Sequence, residues 1–228
     1  MIERSFDSEL AELNDLILKM GSMAEESIHK SIEALKNRDE ELSKEIIAND
    51  RLIDELENEI DEKCITLLAT RQPMAGDLRF IATAMKICTD IERIGDLSVD
   101  IAQKNLELLN MPLLKPLIDT PKLAKLAQDM LKLSLDSFVK RDSNLSKEIH
   151  DMERESDNLR NLITDELIQI MVKDSSTVTR ALPLLLIARF LERICDHAMN
   201  IAEDVVYMVD AKVIKHLHQT QMEEGEKQ

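Results

Sequence analysis

Apolar residues return every three or four positions along almost the whole chain, the spacing that keeps them on one face of an α-helix. Leu10, Leu13, Ile17, Met20, Met23/Ala24, Ser27/Ile28, Ser31 and Leu35 mark the first such stripe. Asn37-Arg38-Asp39 interrupts it, and Asp39 is a suitable N-cap for the next helix because a short carboxylate can accept from free N–H groups of a first turn. The second stripe carries Leu42, Ile46, Ile53, Leu56, Ile60, Cys64 and Leu67/Leu68, and stops before Gln72-Pro73, since the residue before a proline disfavours the helical conformation. The third helix spans about 75–109. Three prolines then fall within residues 112–121, the one clear linker, near mid-chain. A fourth helix starts near Pro121 and passes Leu126, Met130, Leu133 and Phe138. Breaks at Lys140-Arg141-Asp142 and Lys173-Asp174-Ser175-Ser176 lead into a fifth and a sixth, the last running past Tyr207, with Pro183 expected to kink it or to mark its first turn.

This pattern predicts an all-α fold of six long helices, each of about 30 residues and so about 45 Å long, arranged as two tandem, pseudo-symmetric antiparallel three-helix bundles. The first bundle covers residues 1–111, the proline-rich linker 112–121, the second bundle 122–218 and a polar tail 219–228. The halves also repeat in sequence. Arg38-Asp39 and Leu42-Ser43-Lys44-Glu45-Ile46 return as Arg141-Asp142 and Leu145-Ser146-Lys147-Glu148-Ile149, an offset of 103. The same offset pairs Arg51 with Arg154, Asp54 with Asp157, Leu56 with Leu159, Asn58 with Asn161 and Ile60 with Ile163. On the third helix of each half it is 100, matching Glu92-Arg93-Ile94 and Asp96 to Glu192-Arg193-Ile194 and Asp196. The sequence therefore reads as an internal duplication.

Composition narrows the function. The 228 residues include four Phe, one Tyr, no Trp, 4 Gly and 5 Pro, too few aromatics and turn formers for a barrel or sandwich. Closely spaced glycines are missing, which excludes a P-loop and a dinucleotide fingerprint. A net charge of -16 opposes nucleic acid as a ligand. The first residues have no basic stretch followed by an apolar one, and no run approaches the roughly 20 apolar residues of a membrane span, so a soluble cytoplasmic protein without membrane insertion is expected. Cys64, Cys88 and Cys195 lie on apolar faces at no ligand-like spacing and read as reduced, buried thiols. There is no nucleophile–base motif, so no enzyme is expected.

The excess acid is ordered. Asp50 and Asp54, Glu153 and Asp157, Glu92, Asp96 and Asp100, and Glu192, Asp196 and Asn200 recur at four-residue spacing, which places each set on one helix face about 5–6 Å apart. A solvated acidic stripe is the plain alternative for any single row, and Arg93 and Arg193, three residues before Asp96 and Asp196, offer ordinary surface ion pairs. The recurrence of the rows on corresponding helices of both halves points instead to cation sites. Two facing rows concentrate negative charge that a bound ion relieves, and an all-oxygen set suits hard ions such as Mg²⁺, Ca²⁺, Mn²⁺ or iron better than zinc. Residues 1–112 hold 25 acids and 13 bases and residues 113–228 hold 20 and 16, so the first half is expected to bind cations more strongly. His29 forms a single Glu-x-x-His with Glu26; a ferritin-like site needs two, and His29 reads as a surface residue. Gly95, mid-helix, is expected to admit a close neighbour.

Arg71-Gln72-Pro73-Met74-Ala75-Gly76-Asp77-Leu78-Arg79, Asp90-Ile91-Glu92-Arg93-Ile94-Gly95-Asp96 and Leu191-Glu192-Arg193-Ile194-Cys195-Asp196-His197-Ala198-Met199-Asn200-Ile201-Ala202-Glu203 resemble the PhoU family of phosphate-specific transport system accessory proteins. The resemblance covers about residues 5–210. It implies metal clusters, iron first, held by a Glu/Asp-x-x-x-Asp motif in each repeat, which falls here on Asp50, Asp54, Glu92, Asp96 and Asp100, and on Glu153, Asp157, Glu192, Asp196 and Asn200. Asn200 departs from an all-acid row, and an amide is the weaker ligand. The resemblance further implies a cytoplasmic negative regulator of the phosphate-starvation response, often a homodimer. Such a regulator contacts the ATPase subunit of the phosphate ABC transporter and a sensor histidine kinase at the inner face of the membrane. A partner of a low-affinity phosphate carrier, or an all-α metal-dependent nucleotide pyrophosphohydrolase, are the alternatives.

Overall fold

The computed structural model describes residues 2–212, with side chains from Phe6 onward; the polar tail 219–228, the end of the second repeat, His216 and His218 lie outside the described residues. The described chain is all-α: α1 (Ile2–Asn37), α2 (Glu40–Asn49), α3 (Arg51–Arg71), α4 (Ala75–Leu109), α5 (Asp119–Lys140), α6 (Ser146–Lys173) and α7 (Val178–Asp210). Short 3₁₀ turns at Ser143–Leu145 and Ser175–Thr177 lead into α6 and α7. The plan is still one of six long helices, because α2 and α3 form one rod with a fault at Asp50. That residue keeps helical dihedrals, and its carbonyl accepts from Ile53 N at 2.8 Å and Asp54 N at 3.3 Å.

The breaks have local causes that repeat. Arg38 and Arg141, equivalent by the 103-residue offset, both turn left-handed with φ of 54° and 50° and so end α1 and α5. The next residue then caps the succeeding helical turn, Asp39 accepting from Leu42 N at 2.9 Å and Asp142 from Asn144 N at 3.0 Å. The connection between halves runs over 110–118 rather than 112–121, since α5 already starts at Asp119 with Pro121 third in the helix. A proline is tolerated there because the first-turn N–H groups have no intrahelical partner. Pro183 is not in the first turn of α7 but sixth from its start. It removes the helical donor that the Thr179 carbonyl would otherwise meet, at an exposed residue.

Helices α1, α2/α3 and α4 pack as one bundle and α5, α6 and α7 as another. Between them α4 lies along α7, the most extensive helix–helix contact among the described residues, and α1 lies against α5. The α4–α7 pair is antiparallel: Arg79 Nε donates to Met208 O at 3.0 Å, Lys86 pairs with Asp204 at 3.2 Å and Asp90 meets His197 at 2.8 Å. Gly21 lies at the contact of α1 with α5, where an added Cβ would displace the end of the Leu135 side chain. The buried side chains of both halves form one continuous core, with Phe80 of α4 stacked on Phe138 of α5 at 5.2 Å between ring centroids. Cys64, Cys88 and Cys195 are free and buried within it. Burial pushes the thiols of Cys64 and Cys195 up to about 12, which keeps them protonated and unreactive. His29 is exposed, as a surface residue should be.

Candidate metal centre

In the first half the acids of α3 and α4 face one another beside Gly95. A Cβ at that glycine would lie 3.0 Å from Ile53 Cδ1 and 3.4 Å from Asp50 Oδ1. Glycine thus lets the α2–α3 fault, and with it the Asp50 carboxylate, sit directly against α4. Burial, then the charges of Asp54 and Asp96, raise Asp50 from 3.8 to about 6. Glu92 rises from 4.5 to about 7, first by burial and next by Asp96, with Arg93 opposing. Asp100 is raised by burial and by Asp96. Asp54 and Asp96 thus belong to one electrostatic group with Asp50, Glu92 and Asp100.

Two further members were not read from the sequence. Glu57 is raised by burial and then by Asp61 and Asp54, so Glu57 and Asp61 extend the α3 row. The signal was available, since 50, 54, 57 and 61 step along one helix face. Against these seven carboxylates stand Arg93, 3.2 Å from Asp96 and 3.4 Å from Glu92, and the charges of Arg193 and Lys104 acting on Asp100.

The second half has the same scaffold and a different balance. Burial, then Glu192, Glu153 and Asp157, raise Asp196 from 3.8 to about 6, so these four acids of α6 and α7 also gather. They come with more partners of their own. Arg160 lies 3.5 Å from Asp157 and 3.4 Å from Glu192, Arg189 lies 3.4 Å from Glu192, and His150 Nδ1 lies 3.0 Å from Glu153. By the 103-residue offset Arg160 occupies the position of Glu57. This reversed charge, with Arg189 beside Glu192, leaves the second cluster better paired than the first.

Asn200 is not brought to this group. Its amide crosses to the first half and donates to Asp90 Oδ1 at 3.4 Å, beside His197, whose Nδ1 is 2.8 Å from the same oxygen. An aspartate at 200 would face Asp90 directly. Asn200→Asp is expected to lower unfolding stability by about 1–2 kcal/mol, the like-charge repulsion at intermediate dielectric being partly relieved by His197. Equal urea midpoints for the two proteins at pH 7.5 would remove this role.

Among the described residues no three of these side chains converge on a common point close enough to enclose an ion. Their chemistry nevertheless suits a hard cation. The donors are carboxylate oxygens on facing helices, and Glu92 Oε2 and Glu192 Oε2 are buried without a hydrogen bond, each with only an arginine nitrogen 3.4 Å away. Asp50, Asp54, Glu92, Asp96 and Asp100, with Glu57 and Asp61, would hold the ion in the first half; Glu153, Asp157, Glu192 and Asp196 would do so in the second. Such an ion supplies the positive charge that lets facing carboxylates stay ionised together.

The profile of the PhoU domain matches residues 17–104 and 120–205, one stretch in each half. The chain belongs to the PhoU family. It is 38% identical over 216 residues to the Clostridium acetobutylicum phosphate-specific transport system accessory protein PhoU homolog, covering 94% of this chain and 98% of that one. The Aquifex aeolicus homolog of the same name is 36% identical, covering 92% and 95%. The crystal structure of PhoU from Pseudomonas aeruginosa superposes with a TM-score of 0.87 at 32% identity, over 91% of this chain and 100% of that chain. The phosphate transport system regulatory protein PhoU from Streptococcus pneumoniae gives a TM-score of 0.85 at 29% identity, over 92% and 99%.

Proposed function

We propose that this protein is a regulatory accessory of phosphate transport that works by protein–protein contact and carries out no turnover of its own. The observation that carries this reading is full-length likeness to proteins named for that accessory role, with 94% of this chain aligned to 98% of such a relative. The direct partners are the ATPase subunit of the phosphate ABC transporter and the sensor histidine kinase of the phosphate response. The site is the cytoplasmic face of the membrane, and the working unit is a homodimer. No described helix is long and apolar enough to cross a membrane, so recruitment there goes through the partners. Iron or another hard cation at the acidic faces draws α3 to α4, and less strongly α6 to α7, and stiffens the bundles that the partners read.

Two measurements test this separately. Tagged full-length protein recovered from lysate should enrich the ATPase subunit and the kinase over a tag-only control, and enrichment of neither overturns the relay. Elemental analysis of protein purified without added metal should show bound metal that falls sharply in the Asp96→Ala/Asp196→Ala variant. Equal metal content in both removes the ligand assignment while leaving the partner reading intact.

A further inference from the structure

A small cavity of about 30 Å³ lies where the linker folds back over the joint between the repeats. The ends of α1 and α4, the linker and the start of α7 surround it, with Leu35, Leu108, Leu114 and Leu184 among its apolar walls and Asn105 and Arg38 as polar ones. Asn105 is 2% exposed, and its Nδ2 donates to Ser31 O at 2.7 Å. That bond leaves Oδ1 buried with no donor. Arg38 closes the α4 end through Nη2, which donates to Leu108 O at 3.2 Å, Leu109 O at 2.5 Å and Met111 O at 2.8 Å. Its other guanidinium nitrogens, Nε and Nη1, are not among the buried polar atoms left without a partner. One cavity therefore offers a buried acceptor lacking a donor, with the Arg38 guanidinium among its walls.

We propose that this cavity is a hydration site holding one or two resident water molecules that donate to Asn105 Oδ1 and accept from the Arg38 guanidinium. Size decides the class of ligand. Small-molecule sites run to about 300 Å³ or more. A water needs only about 10–15 Å³ measured in this way, together with two or more polar partners. An acceptor left bare in such a place is costly, and a bridging water recovers most of that cost. The water ties α1 to α4 beneath the linker, at the joint that sets how the second repeat leaves the first.

High-resolution diffraction from crystals of the full chain should show density about 2.7–3.2 Å from Asn105 Oδ1 and from a guanidinium nitrogen of Arg38. Pressurising the same crystals with xenon should leave the cavity free of it, because xenon enters dry apolar cavities. In solution, water-proton relaxation dispersion should count one or two fewer long-lived waters in Asn105→Leu than in the parent. A xenon peak in the cavity, a direct Asn105–Arg38 hydrogen bond with no density between them, or an unchanged water count in a folded Asn105→Leu protein would each overturn the proposal.

Discussion

Arg160→Glu is expected to lower unfolding stability by about 3–5 kcal/mol at neutral pH in the presence of chelator, the range seen when a buried charge loses its partner. Glu192 is only 6% exposed and is held by Arg160 and Arg189 at 3.4 Å each. Arg189 is itself half exposed and cannot replace Arg160 as a buried counter-charge. The new glutamate also faces Asp157, which Arg160 now engages at 3.5 Å. Urea unfolding followed by circular dichroism measures the effect, and a change below about 1 kcal/mol would show that Arg160 does not neutralise the site. The substitution also gives the second repeat the charge at this position that Glu57 gives the first. Added cation should therefore recover more stability in the variant than in the parent; equal recovery would dissociate the charge at 160 from ion binding.

The second large effect is in the first repeat and runs the other way. Asp50→Asn/Glu92→Gln should make the metal-free protein more stable at pH 7.5, by about 2–4 kcal/mol after allowing for partial exposure of the neighbouring charges. The sign comes from the raised carboxyls. Asp50 moves from 3.8 to about 6 and Glu92 from 4.5 to about 7, so between about pH 4 and 7 the folded chain retains protons that the unfolded chain has released. Below that window both states are protonated and the groups contribute nothing. Stability therefore falls as pH rises through the window, and the loss is complete above about 7. Melting of the metal-free parent should decline from pH 4.5 to 7.5 in the part due to these groups, and the double variant should be flatter and higher at the upper end. A variant that melts lower than the parent at pH 7.5 in chelator would show that the two carboxyls are not in conflict.

Much of this architecture was legible in the chain. Period 3.6 gave the helices, and Asp39 gave the start of the second, because a cap is a local event between a side chain and an N–H group three residues on; Lys140-Arg141-Asp142 was legible as a break. The facing acids were legible as rows, since i and i+4 share a face whatever surrounds them. Three features were not. The conversion of Glu57 into Arg160 acquires meaning only once α3 and α6 are laid on α4 and α7. The partnership of Asn200 with Asp90 depends on the register of α4 against α7, a tertiary fact that no spacing within one helix contains. Pro121 marks the linker end in sequence yet belongs to α5, because proline is compatible with a first helical turn as well as with a loop.

The single apolar interior that runs through both repeats bears on how the molecule comes apart. Chains built by duplication often melt in stages, one unit at a time. Here the α4–α7 seam is the largest contact among the described residues, so opening either repeat alone strips the other of the surface it folds against. The duplicated halves are in that sense one cooperative unit, and a nick in the exposed linker near Leu113, which is 65% exposed, would leave two fragments that stay together as a folded pair.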